Sequence, residues 1–258
     1  MDQSGWRCGH SSGRSGRRHS SELFLRSKGC RGRRPSGLQN SMRTFFIWLA
    51  CLLVTSLVIT ATYLLLDRPI ALFAHAWFHR QDAGVVAPLI HISDPLVPLS
   101  VTVFVILGLL AFLGRSFSRH EAAAFVCSIS IIVTETIKNG LKLIFGRTWP
   151  ETWIENNPSF IHDGVYGFNF LHGGTAYQSF PSGHMAAACA AVSVLWIWYP
   201  RLKWLWAVVG VAVGAALVGM NFHFLSDVIS GAFVGVSIGW MTIAIWKANA
   251  QTGPRQSK

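Results

Sequence analysis

A chain of 258 residues that is 51% hydrophobic and only 13% charged has too little polar surface for a soluble globular protein of its length. Its formal charge of +11 suggests nucleic acid at first sight, but the placement of the basic residues, described below, excludes that partner. Five cysteines without paired spacing, three of them in apolar runs, argue against a disulfide or zinc framework.

Residues 1–43 are rich in Ser, Gly and Arg and lack apolar periodicity. They are predicted to be a disordered cytoplasmic tail, either a contact for anionic head groups or a passive extension, with Met42 as an alternative start. Six apolar runs of roughly membrane-crossing length follow: Thr44–Leu66, Pro95–Gly114, Glu121–Ile137, Pro181–Trp198, Trp204–Met220 and Val228–Trp246. The first is too long for a signal-peptide core and is predicted to be an uncleaved anchor. The fold expected is an all-α integral membrane protein, with six transmembrane helices in residues 44–247 and a short cytoplasmic tail over 248–258. With the first tail inside, 17 of the 22 Lys and Arg residues fall on the cytoplasmic side; Arg68, Arg80, Lys138, Lys142 and Arg147 remain outside. Basicity thus encodes topology: both termini are cytoplasmic, and the partner is the lipid bilayer, with no nucleic acid.

Between the first two runs, Leu72, Phe73, Ala76 and Trp77 are predicted to form the apolar face of a short interfacial helix. His75 and His79 have the spacing of a metal pair on that helix, but no third ligand accompanies them in sequence, which favours a plain amphipathic helix. Gly231, Gly235 and Gly239, and likewise Gly210 and Gly214, recur every four residues, a period that lets helices approach closely in lipid. The long connection from Arg147 to Phe180 carries Trp149, Trp153, Phe160, Tyr166, Phe168, Phe170 and Tyr177. So many aromatics predict an ordered lid at the outer interface.

Three polar clusters interrupt the apolar pattern. Pro181-Ser182-Gly183-His184 opens the fourth run, where unpaired N–H groups and the positive end of the helix dipole make an anion site; an ordinary cap with a buried histidine is the plainer reading. His223 and Asp227 stand four apart at the start of the sixth run, a spacing in which a carboxylate can fix one imidazole nitrogen and leave the other as a nucleophile. Lys142 and Arg147 lie beyond the third run, where basic side chains often snorkel towards head groups. The topology brings all three clusters to the outer face. Cations, a helix N-terminus, an acid and an oriented nucleophile are the requirements of phosphoryl transfer without a metal.

In these residues the chain resembles the type 2 phosphatidic acid phosphatase (PAP2) superfamily. The resemblance runs from about residue 44 to 247 through Lys142-LIFGRT-Trp149-Pro150, Pro181-Ser182-Gly183-His184 and Ala216-Leu217-VGMNF-His223-FLS-Asp227. It implies a six-helix bundle with its site at the outer face. It also implies that His223 attacks phosphorus to give a phosphohistidine, Asp227 orients it, and His184 protonates the leaving group. Lys142, Ser182 and Gly183 would hold the phosphate, and no metal or cofactor is implied. Two positions depart from the pattern: Trp149 and Leu217 stand where the family has phosphate-binding arginines. Arg147 is expected to take their place, with Asn221 and Lys138 as further candidates and Glu135 as the partner of Lys138. The function expected is hydrolysis of a lipid phosphate or pyrophosphate at the outer face. A lipid phosphotransferase, or a weakened member that binds phospholipid without cleaving it, are the alternatives. The lipid itself and the oligomeric state stay open.

Overall fold

The computed structural model describes residues 37–77, 95–152 and 156–252. The expectations for the N-terminal tail before residue 37, for His79, Arg80 and Trp153, and for the final six residues lie outside the described residues. The chain divides into one unit of residues 1–44 and another of residues 45–258; the site belongs to the second.

Among the described residues the regular structure is helical, with isolated β-bridges only. The helices are α1 (Gly37–Leu65), α2 (Asp67–Trp77), α3 (Leu96–Phe112), α4 (Arg119–Phe145), α5 (Phe160–Asp163), α6 (Gly183–Trp198), α7 (Lys203–Gly219) and α8 (Leu225–Thr252). Each of the six apolar runs coincides with one of the longer helices. Among the described residues, four segments are long and apolar enough to cross a membrane: Met42–Leu65, Arg119–Phe145, Pro200–Gly219 and Leu225–Asn249. Helices α3 and α6, with 17 and 16 residues, reach only about 25 Å at about 1.5 Å per residue, short of a hydrocarbon core of about 30 Å.

Helix α4 runs eight residues past the expected end of its apolar stretch. It starts at a reciprocal cap, in which the Ser118 hydroxyl accepts from the Glu121 amide and the Glu121 carboxylate accepts from that of Ser118. It stops at Gly146, whose φ of 52° suits glycine and where an added Cβ would collide with the Asn169 carbonyl. The extension adds Lys138 and Lys142 to the helix face that already carries Glu135.

Helices α6 and α8 meet backbone to backbone. A Cβ on Gly231, Gly235 or Gly239 would strike Ser182 O, Ala186 O or Ser193 Oγ in turn, so the glycine period does mark a close seam. In α7 the expectation holds only for Gly214, which packs on Met185 and Val228, whereas Gly210 faces open space. Helix α2 turns Asp67, Ala71 and Ala74 inward and leaves Leu72, Phe73 and Trp77 exposed, as an interfacial helix would.

The connection from 147 to 180 is ordered where it is described. Asn169 N donates to Gly146 O at 2.8 Å, Leu171 N to Ile144 O at 2.9 Å, and Ser179 N to Arg147 O at 3.1 Å, so the segment leaves the end of α4 and returns to it. Buried Glu151 pins it to α2. It accepts from His75 Nδ1 at 3.0 Å and from His162 Nε2 at 2.6 Å.

Candidate active site

The ends of α4, α6 and α8 close around one chamber of about 250 Å³. Helix α4 contributes Glu135, Lys138 and Lys142, α6 contributes Gly183, His184 and Ala187, and the turn before α8 contributes His223. Trp149 and Val97 complete the wall. The imidazoles of His184 and His223 lie 6.4 Å apart between ring centroids, so two motifs 39 residues apart in sequence share one small space.

His223 is placed by the end of α7. Its amide and that of Phe222 both donate to Leu217 O, at 3.1 and 2.9 Å, and Asn221 takes a φ of 53° in the turn between, a left-handed conformation that asparagine tolerates. The Leu217 side chain is wholly buried with Met185, Val213 and Val228. It is therefore a core residue and does not reach the chamber. The ring of His223 is 2% exposed; burial pushes its pKa down to about 4, against the pull of the Asp227 carboxylate.

Asp227 does not bond directly to that ring. Nδ1 of His223 lies 3.7 Å from Asp227 Oδ2, too far for a hydrogen bond. The Ser179 hydroxyl stands between them, donating to Asp227 Oδ2 at 2.7 Å and lying 3.4 Å from His223 Nδ1. Oδ2 also accepts from Phe224 N at 3.1 Å, and Oδ1 is gripped by Arg147 Nη1.

Arg147 is the main correction to the sequence reading. It is fully buried, does not line the chamber, and bridges two carboxylates, reaching Asp227 with Nη1 and Asp67 with Nη2 at 2.8 Å. Nη1 also donates to Ser226 Oγ at 2.6 Å, and Asp67 accepts from Ser226 N at 3.0 Å. The rings of Tyr63, Tyr166, Phe168 and Phe224 surround the guanidinium at 4.2 to 5.3 Å. Burial opposes its charge, but Asp227 and Asp67 overcome that and raise its pKa above the ordinary arginine value. The expectation that Arg147 holds phosphate does not fit this placement, because the two acids already occupy its fork.

Two more expectations change. Asn221 is buried, donates to Ala71 O at 2.9 Å and is absent from the chamber wall. Ser182 uses its backbone N–H on Asp227 O at 3.1 Å and its hydroxyl as the α6 cap, accepting from Met185 N. The first-turn donors at the chamber are therefore those of Gly183 and His184. Lys142, Gly183, His184 and His223 share the chamber wall.

Lys138, a secondary candidate from sequence, has the strongest geometry of the remaining cations. Its Nζ donates to Glu135 at 2.6 Å. The position of a Cβ on Gly183 would be 3.0 Å from that same Nζ. Glycine in this motif thus leaves room for a lysine as well as for a ligand. Trp149 stands over His223 with ring centroids 5.1 Å apart, its Nε1 donating to Thr175 O at 2.9 Å, and Lys142 Nζ lies 5.8 Å from its centroid.

Asp67 and Ser179 were missed in sequence. Ser179 adjoins the Pro181 motif and its small polar side chain carried no period to mark it. Asp67 does carry a signal: a lone acid at the end of a 23-residue apolar run needs a partner. Among the described residues no group of three or more His, Cys, Asp or Glu side chains is arranged to hold a metal.

Comparison with known proteins gives the family and the fold that this chain resembles. A family model described as the PAP2 superfamily matches residues 122–251. A lipid A 1-phosphatase of Rhizobium johnstonii is 26% identical over 215 residues, covering 77% of this chain and 81% of its own. One of Rhizobium etli is 25% identical over 204 residues, covering 76% of this chain and 82% of its own. The crystal structure of a transmembrane PAP2 type phosphatidylglycerolphosphate phosphatase from Bacillus subtilis superposes with a TM-score of 0.50 at 18% identity, covering 81% of this chain and 98% of that one. At that identity the likeness concerns the fold.

Proposed function

Since this chain belongs to the PAP2 superfamily, we propose that it is an integral membrane phosphatase that hydrolyses a lipid phosphate or pyrophosphate monoester through a phosphohistidine on His223. The observation that carries this reading is the single chamber in which His223, His184 and two lysines face one another across the N-terminus of α6. The lipid A 1-phosphatase relatives support the lipid phosphate class of substrate.

The neutral imidazole of His223 turns Nδ1 towards Ser179 and Asp227, which leaves Nε2 to attack phosphorus. The Nε2–P bond forms as the P–O ester bond breaks, and His184 gives its proton to the departing oxygen. Water then attacks phosphorus with His184 as base, the N–P bond breaks, and inorganic phosphate leaves. Lys142, Lys138 and the first N–H groups of α6 balance the phosphoryl charge. Lys138 thereby offsets part of the charge lost with the family's arginines. Arg147 acts through Asp227, as a positioning residue. Six membrane spans, with α3 and α6 as the short ones, both termini in the cytoplasm and the chamber at the outer face complete the reading, on the strength of the basic-residue distribution.

A specific observation favours a second reading: tryptophan and a core leucine at the arginine positions would also suit a protein that binds phospholipid without cleaving it. Phosphate release from a panel of lipid phosphates by purified protein, with His223→Ala as control, tests both. Release by the parent and none by the variant supports the phosphatase. Binding without release supports the alternative.

A further inference from the structure

Lys142 is a shared wall. On one side is the reacting chamber; on the other is a second cavity of about 200 Å³, lined also by Asn139, Leu143, His172, Gly173, Gly174 and Gln178. Nothing in the mechanism uses it. Its polar equipment is chiefly neutral, with two carboxamides that both donate and accept and an imidazole packed edge-on against Tyr177 at 4.3 Å. Lys142 is the one lysine or arginine among its lining residues, and it is shared with the reacting phosphate.

Asn139 lies one turn before Lys142 on α4 and is an exposed residue of the cavity wall. Gln178 enters from the other side, its backbone fixed by pairing with Arg147. Gly174, at a φ of 103°, turns the floor of the cavity so that backbone, and no side chain, faces it.

We propose that this cavity is a subsite for the part of the substrate head group next to the reacting phosphate, and that it selects a hydroxyl- or amide-bearing group such as a phosphorylated sugar. The inference rests on the phosphatase reading above. Carboxamides at Asn139 and Gln178 match groups that both donate and accept, whereas a second phosphate calls for cations beyond the shared lysine. A lipid whose phosphate sits directly on a hydrocarbon chain would leave the cavity to water.

The test compares two substrates in detergent micelles: a glycolipid carrying its phosphate on a sugar, and a polyprenyl phosphate. The parent, Asn139→Ala and Gln178→Ala are assayed with each. The subsite predicts that the ratio of kcat/KM for the glycolipid over the prenyl lipid falls at least tenfold in each variant, through KM. Because Asn139 is exposed, its truncation reads binding without a folding defect. An unchanged ratio, or an equal loss on both lipids, overturns the subsite. Impairment confined to a prenyl diphosphate also overturns it, by assigning the cavity to a second phosphate. Failure of the parent to cleave either lipid rejects the phosphatase reading itself, and this inference with it.

Discussion

Arg147 and Ser179 hold opposite oxygens of Asp227: the guanidinium takes Oδ1 and the hydroxyl takes Oδ2, so the carboxylate behind His223 is clamped from both sides. The clamp is dry, since Arg147, Ser179 and Asp227 are all fully buried.

Arg147→Met is therefore expected to cost about 3 to 5 kcal/mol of stability, because it strands two buried carboxylates. The residual folded protein should lose kcat while KM for a lipid phosphate changes little. Thermal unfolding and steady-state kinetics check the two parts. A rise in KM with kcat intact would return Arg147 to the substrate.

Gly183→Ala places a methyl group 3.0 Å from the end of the Lys138 side chain, a flexible neighbour that can move aside. The expected outcome is a nearly unchanged melting temperature with kcat/KM lowered roughly tenfold. Lys138→Met removes the cation altogether and should lower kcat/KM roughly ten- to a hundredfold, at about 1.5 to 3 kcal/mol for a hydrogen bond to a charged group.

Stability against pH follows from His223. Its folded pKa of about 4 lies below the value of about 6.5 of an unfolded chain, so between the two the unfolded state binds a proton that the native state refuses. Unfolding free energy should then fall as pH drops from about 6.5 towards about 4 and level off below both, with a slope of up to about 1.4 kcal/mol per pH unit from this group. Denaturant titrations in micelles at several pH values check it: His223→Gln should flatten the slope by close to one proton. An identical slope in both proteins would refute the buried neutral imidazole.

Gly235→Ala should destabilise the protein by at least about 1 to 3 kcal/mol, the range for overpacking, because its methyl group meets the Ala186 carbonyl. Gly210→Ala, facing open space, is the control and should be close to neutral.

The helices were legible because apolar length and glycine period are local properties of a sequence in lipid. Lys142, His184 and His223, which line the chamber, stand out in the sequence because each sits at a helix end, where a polar residue contrasts with hydrocarbon. Arg147 was misjudged for a physical reason: two-residue spacing from Trp149 gives a direction only if the segment is extended and unpartnered, and the partner, Asp67, is 80 residues away. A sequence displays charge but not which charges cancel. Ser179 and the second cavity arise only where the returning loop meets α4, and no period encodes such a meeting.

The glycine seam between α6 and α8 also governs how an amphiphile arrives. Two helices whose main chains already touch leave no slot for an acyl tail and cannot part without losing their whole contact, so that flank is shut to traffic. On the phosphatase reading proposed above, the entry for a lipid is expected away from that seam, where Val97 of α3 and Ala187 of α6 border the chamber.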